Sequence, residues 1–74
     1  MIKILKATYT DEGILLECWD VDEDSYGTVL ISADTSEVLS IEGVSKTNAW
    51  YARKRAQWAI EKGKPIAPQT VHWY

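Results

Sequence analysis

Residues 2–20, IKILKATYTDEGILLECWD, decide the fold. Two apolar-rich runs, each too short for a helix of ordinary length, flank Thr10-Asp11-Glu12-Gly13. Glycine in the last place suits a type I turn closed by a left-handed residue. Strands joined by so short a connection are antiparallel neighbours. Along residues 14–20, Ile14, Leu16 and Cys18 share one face, and Leu15, Glu17 and Trp19 share the other. Residues 2–10 break this alternation: Ile2 and Ile4 lie on one face, Leu5, Ala7 and Tyr9 on the other. A bulge near Leu5, or burial on both faces, accounts for the slip.

The chain beyond the hairpin extends the sheet. Residues 26–33, YGTVLISA, read as a third strand after an acidic connector, and residues 38–42, VLSIE, as a short fourth after Asp34-Thr35-Ser36-Glu37. Short links between consecutive strands imply a meander. Residues 47–62, TNAWYARKRAQWAIEK, then predict a helix of about four turns. Ser45 or Thr47 can cap its start, and Gly63 followed by Lys64-Pro65 marks its end. In the tail, residues 65–74, Pro65 and Pro68 favour extended backbone, and the apolar end (Val71, His72, Trp73, Tyr74) is expected to dock on the sheet edge or the helix. The chain of 74 residues has room for one domain. The expected architecture is α+β: an antiparallel meander of three or four strands, one helix packed on one sheet face, and a docked extended tail.

Charge divides the chain. Residues 1–44 carry two lysines against ten acids, a net −8, and residues 45–74 carry six cations against Glu61, a net +5. The overall −3 hides this polarity. Charge of one sign on one surface steers partners and sets their orientation. Composition narrows the rest. One cysteine excludes an internal disulfide and any multi-cysteine metal site, so a reducing cytoplasm is the expected compartment. No signal-peptide pattern and no span of membrane length appears. Four Trp and four Tyr with no Phe give every aromatic ring a polar tip. Such rings suit half-wet interfaces, and equally a small core built from large side chains.

At about 100° per residue the helix has two stripes. Ala49, Ala52, Ala56, Ala59 and Ile60 form one, and small residues there let the backbone lie close to the sheet. Tyr51, Arg55, Trp58 and Lys62 form the other, with Lys54 beside it and Trp50 between the stripes, one turn from Arg53 and Lys54. Aromatic anchors among cations are common hot-spot chemistry, and cation–π contacts are within reach. Coverage of Tyr51 and Trp58 by the tail, self-association and a foreign partner are the three alternatives for this stripe. The partner-binding set is therefore Trp50, Tyr51, Arg53, Lys54, Arg55, Trp58 and Lys62. Asp20, Asp22, Glu23 and Asp24 form an acidic surface that steers at long range.

Other chemistry is weakly supported. Asp20-Val21-Asp22-Glu23-Asp24 begins like a calcium loop, but Ser25 stands where that loop needs glycine and Ile31 where it needs glutamate. His72 has no histidine or cysteine partner for a metal site or catalytic pair. Cys18, on the parity of Ile14 and Leu16, reads as a buried thiol. The four glycines are isolated, so no phosphate loop is present. No cofactor and no catalysis are expected. The sheet-then-helix layout is similar in outline to the small DNA-binding domains of AP2-type factors and some integrases, which read DNA with a basic sheet. Here the sheet region is acidic and no motif residue matches. The expected function is a non-catalytic module that binds another protein or a second copy of itself through the helix. The alternatives are nucleic-acid binding through the basic helix, disfavoured by a pI near 4.9, and an acidic mimic of DNA that occupies a basic groove.

Overall fold

The computed structural model describes residues 1–72. A five-stranded antiparallel sheet carries one helix on one face, an α+β fold. The strands are β1 (Ile2–Thr10), β2 (Gly13–Asp20), β3 (Ser25–Ile31), β4 (Val38–Glu42) and β5 (Gln69–Val71), with helix α1 (Lys46–Glu61) between β4 and β5. Their order is β4-β3-β2-β1-β5. The first four form the expected meander, and α1 carries the chain from one edge of the sheet to the other.

The hairpin pairs Thr10 with Gly13 around Asp11 and Glu12. Thr10 holds it from within: its hydroxyl accepts from the Glu12 and Gly13 N–H groups, both at 3.2 Å, and donates to the Gly13 carbonyl at 2.9 Å. The glycine differs from expectation, since its φ of 146° lies far from the left-handed helical well. The parity slip in β1 is a bulge: Ile4 pairs with Cys18 and Lys6 with Glu17, leaving Leu5 as the extra residue. The bulge returns Ala7 to the helix side, opposite Leu16.

Strand β3 stops at Ile31, two residues earlier than expected. The Ser32 hydroxyl accepts from the Asp34 and Thr35 N–H groups at 3.2 Å, so this side chain begins the turn. Within β3, Gly27 is required by packing. A Cβ there would sit 2.1 Å from the Glu42 carbonyl oxygen and 2.8 Å from Val44 Cγ1.

Ser45 is the N-cap of α1, and its hydroxyl accepts from the Asn48 N–H at 3.1 Å. At the other end the Lys64 N–H donates to the Ala59 carbonyl at 2.9 Å and the Gly63 N–H to Ile60 at 3.1 Å. This pair of bonds is a Schellman motif, with Gly63 at φ 68°. The buried stripe is the expected one: Ala49, Ala52, Ala56 and Ala59 meet the sheet. They pack over Ile2, Ile4, Ile14, Leu16, Cys18, Val29 and Ile31. A larger side chain on the stripe would overpack this interface at a cost of about 1–3 kcal/mol.

A fifth strand exceeds the expected three or four, and it comes from the tail expected to dock on the sheet edge or the helix. Residues 65–68 contain both prolines, which cannot donate to a ladder. Gln69–Val71 has its N–H groups available and pairs with the free edge of β1, Val71 against Ile2 and Gln69 against Ile4. The remainder of the expected docked tail, Trp73 and Tyr74, lies outside the described residues. Among the described residues no helix is long and apolar enough to cross a membrane.

Candidate functional site

The outward stripe of α1 and the end of β5 enclose a shallow groove of about 360 Å³, lined by Tyr51, Lys54, Arg55, Trp58, Val71 and His72. Its helix wall follows from the 3.6-residue repeat, which stacks Tyr51, Arg55 and Trp58 on one side. Its other wall exists because β5 pairs with β1 and brings Val71 and His72 alongside the helix.

The rings are held by cations and by one another. Trp50 and Tyr51 meet edge to face, with centroids 4.8 Å apart and planes at 85°. Lys54 Nζ lies 4.6 Å from the Trp50 ring. Trp58 takes two cations, with Arg55 Cζ at 5.7 Å and Lys64 Nζ at 5.5 Å. Each exposed contact of this kind contributes about 0.5–1 kcal/mol, enough to hold a side chain in place but not to fold a domain. Trp50 and Trp58 are 45% and 44% exposed. Burying what Trp58 still exposes, roughly 100 Å², would yield about 2–3 kcal/mol, more than any of its present cation contacts.

The expected partner-binding set therefore divides. Tyr51, Lys54, Arg55 and Trp58 line one groove, and Trp50 adjoins it through Tyr51 and Lys54. Lys62 is the exposed C-cap and stands outside the groove lining. Arg53 points elsewhere: its Nε donates to the Ser36 carbonyl at 2.6 Å and ties α1 to the β3–β4 turn. Its place in the sequence, off the aromatic stripe, already carried that signal. Lys64, Val71 and His72 complete the site, and only the three-residue β5 explains how the last two arrive.

The expected acidic surface also divides. Asp20 is fully buried, not a surface group. Its Oδ1 accepts from the Asp22 and Glu23 N–H groups, both at 3.0 Å, and from Asn48 Nδ2 at 2.7 Å; its Oδ2 accepts from the Ser45 N–H at 2.8 Å. The carboxylate thus closes the β2–β3 turn and caps the helix N-terminus, where the macrodipole favours a negative charge. Burial pushes its pKa up, but the Ser45 and Glu23 N–H groups, the Asn48 amide and the Ser45 side chain outweigh that and hold it below the usual value. Asp22 is exposed and accepts from the N-terminal ammonium at 2.7 Å and from Asn48 Nδ2 at 2.9 Å; these two bonds, the ammonium first, lower its pKa. Glu23 and Asp24 remain exposed acids. Among the described residues no cluster of three or more His, Cys, Asp or Glu side chains is placed to hold a metal ion.

Cys18 is buried against the Leu16 carbonyl. Burial first, then the neighbouring Asp20 and Glu17, pushes its thiol up to about 12, so the nucleophilic thiolate is scarce at neutral pH.

With this geometry in view, comparison with protein-family models, curated proteins and solved structures finds no match.

Proposed function

We propose that this chain is a small non-catalytic binding module whose basic, aromatic helix face engages an acidic segment of another protein. The observation that carries the reading is Trp58, 44% exposed, between Arg55 and Lys64 on the wall of a groove. A part-exposed aromatic anchor between cations selects an apolar contact flanked by negative charge. Glu23 and Asp24, on the β2–β3 turn, orient the approach by repelling the same ligand from that end of the molecule. Cys18, the one thiol in the sequence, is buried and its pKa is pushed up to about 12, which fits a role without thiolate chemistry.

Partner capture from a lysate tests this. The baits are wild type, Trp58→Ala and Arg55→Glu, each at low and moderate salt, with nucleic acid measured by absorbance. The expected result is a protein retained by wild type at moderate salt and lost from both variants. Retention by both variants contradicts the helix face. Capture of nucleic acid alone, falling log-linearly with salt, would replace the protein partner by a polyanion.

A further inference from the structure

Helix α1 covers one face of the sheet; among the described residues, no second layer covers the other. Alternation along β2 and β3 puts Leu15, Glu17, Trp19, Tyr26, Thr28 and Leu30 on this open face. Register adds Lys3, Lys6 and Thr8 from β1, and Ser40 and Glu42 from β4. Leu15, Trp19 and Leu30 are half-buried by their neighbours alone, and Tyr26 is 52% exposed. A domain of this size has a small core, so an apolar row left in water is a substantial loss.

We propose that this open face is covered by a second copy of the same chain, packed sheet on sheet. The proposal concerns a different surface from the helix groove and does not depend on it. The argument is the arrangement of charge. The pairing runs in three rows across the strands: Lys3–Trp19–Tyr26, Lys6–Glu17–Thr28–Glu42 and Thr8–Leu15–Leu30–Ser40. Lys6 on β1 stands at the same level of the sheet as Glu17 on β2 and Glu42 on β4, with the leucine row on one side and the row of Lys3 and the two aromatic rings on the other.

Such a face is complementary to itself about a two-fold axis that runs along β2 between two stacked sheets. That axis sets β1 of each copy over β3 of the other. Lys6 then lies over Thr28 of the second copy, between Glu17 and Glu42 of that copy. Leu15 meets Leu15, Trp19 meets Trp19, and Glu17 meets Glu17 on the axis, where the Lys6 ammonium of each copy flanks the two carboxylates. The usual rotation of about −30° between aligned sheets leaves these pairs within reach of a lysine side chain. Tyr26 donates to Glu17 Oε1 at 2.8 Å and fixes the carboxylate on the face. The other carboxylate oxygen can accept from an ammonium. Five strands of this length present a face of roughly 500 Å² per copy. Two such faces reach the lower limit of about 1,000 Å² for a specific interface, so the dimer is concentration-dependent.

Sedimentation of the full chain from about 10 μM to about 1 mM tests the proposal, with circular dichroism confirming that each variant is folded. Wild type dimerises within this range. Lys6→Glu alone sets Glu against Glu17 of the second copy, and Glu17→Lys alone sets Lys against Lys6; each raises the dimer Kd at least about tenfold. An equimolar mixture of the two variants restores association, because each now meets its opposite across the interface although the pair within each chain stays broken. Thr28→Arg, which repels Lys6 of the second copy and leaves Glu17 alone, gives the same weakening should either charge variant unfold. Trp58→Ala leaves the dimer unchanged. A wild type monomeric throughout, a mixture no tighter than its components, or a dimer lost with Trp58→Ala would each overturn the proposal.

Discussion

The two ends of helix α1 treat charge in opposite ways. At its start, Asp20 is withdrawn from water and satisfied by four donors from the turn, the helix cap and Asn48. Farther along, Lys54, Arg55 and Lys64 stay near the surface, where their contacts among the described residues are with tryptophan rings. The first arrangement has no capacity left for a ligand, and its loss would leave buried donors without partners. The second has little to lose and a wide choice of partners. Charge density along a sequence therefore does not identify a binding surface. Satisfaction does: a fully bonded charge holds the fold, and a loosely held one is available.

The largest expected effect tests the first half of this contrast. Asp20→Ala should cost about 3–5 kcal/mol in urea denaturation, because it orphans the Ser45 N–H and leaves the buried Asn48 amide with Asp22 as acceptor in place of two carboxylates. That loss is a large fraction of the stability of a domain this size. Asp20→Asn, which keeps one acceptor, should cost less but still more than 1 kcal/mol.

Acid should reproduce part of that loss. The folded pKa of Asp20 lies below its ordinary value. Its ionised form therefore contributes stability that is complete above the unfolded pKa of about 3.9 and disappears as pH falls through the folded value. Denaturation midpoints of wild type and Asp20→Asn should differ most near neutral pH and converge as pH drops below about 4. A constant difference across that window would assign the midpoint shift to packing rather than charge.

Two arginines two residues apart sharpen the comparison. Arg53→Ala removes the bond to the Ser36 carbonyl and should cost about 1 kcal/mol of stability while sparing partner capture. Arg55→Ala should do the reverse, with stability within about 0.5 kcal/mol of wild type. The smallest effect concerns Cys18. A thiol reagent should label it in urea but not in the native protein, since it is buried and its thiol is pushed up to about 12.

Much of this was legible beforehand. The alternation in β2 announced the hairpin, and the parity slip in β1 left a bulge or burial on both faces, of which the register shift at Leu5 is the first. The alanine stripe announced which side of α1 meets the sheet. Docking of the tail on the sheet edge or the helix was expected, but that Gln69–Val71 forms a strand was not legible, because three residues after two prolines carry no periodicity. The second wall of the groove was foreseen only as the alternative that the tail lies over Tyr51 and Trp58; the pairing with β1 that brings Val71 and His72 there was not. The burial of Asp20 had a signal that the acidic run masked. Asp20 continues the parity of Ile14, Leu16 and Cys18, and Asn48 stands one turn before Ala52 on the buried stripe. Two polar residues on two buried faces are expected to meet, and they do, at 2.7 Å.

The most direct test of the contrast is urea denaturation of wild type, Asp20→Asn and Arg55→Glu side by side at neutral pH. Asp20→Asn should lose more than about 1 kcal/mol and Arg55→Glu less than about 0.5 kcal/mol, because one charge is fully bonded inside the fold and the other, among the described residues, lies against a ring at the surface. Equal losses, or a larger loss for Arg55→Glu, would contradict the division between a charge that builds the fold and charges that are free to bind.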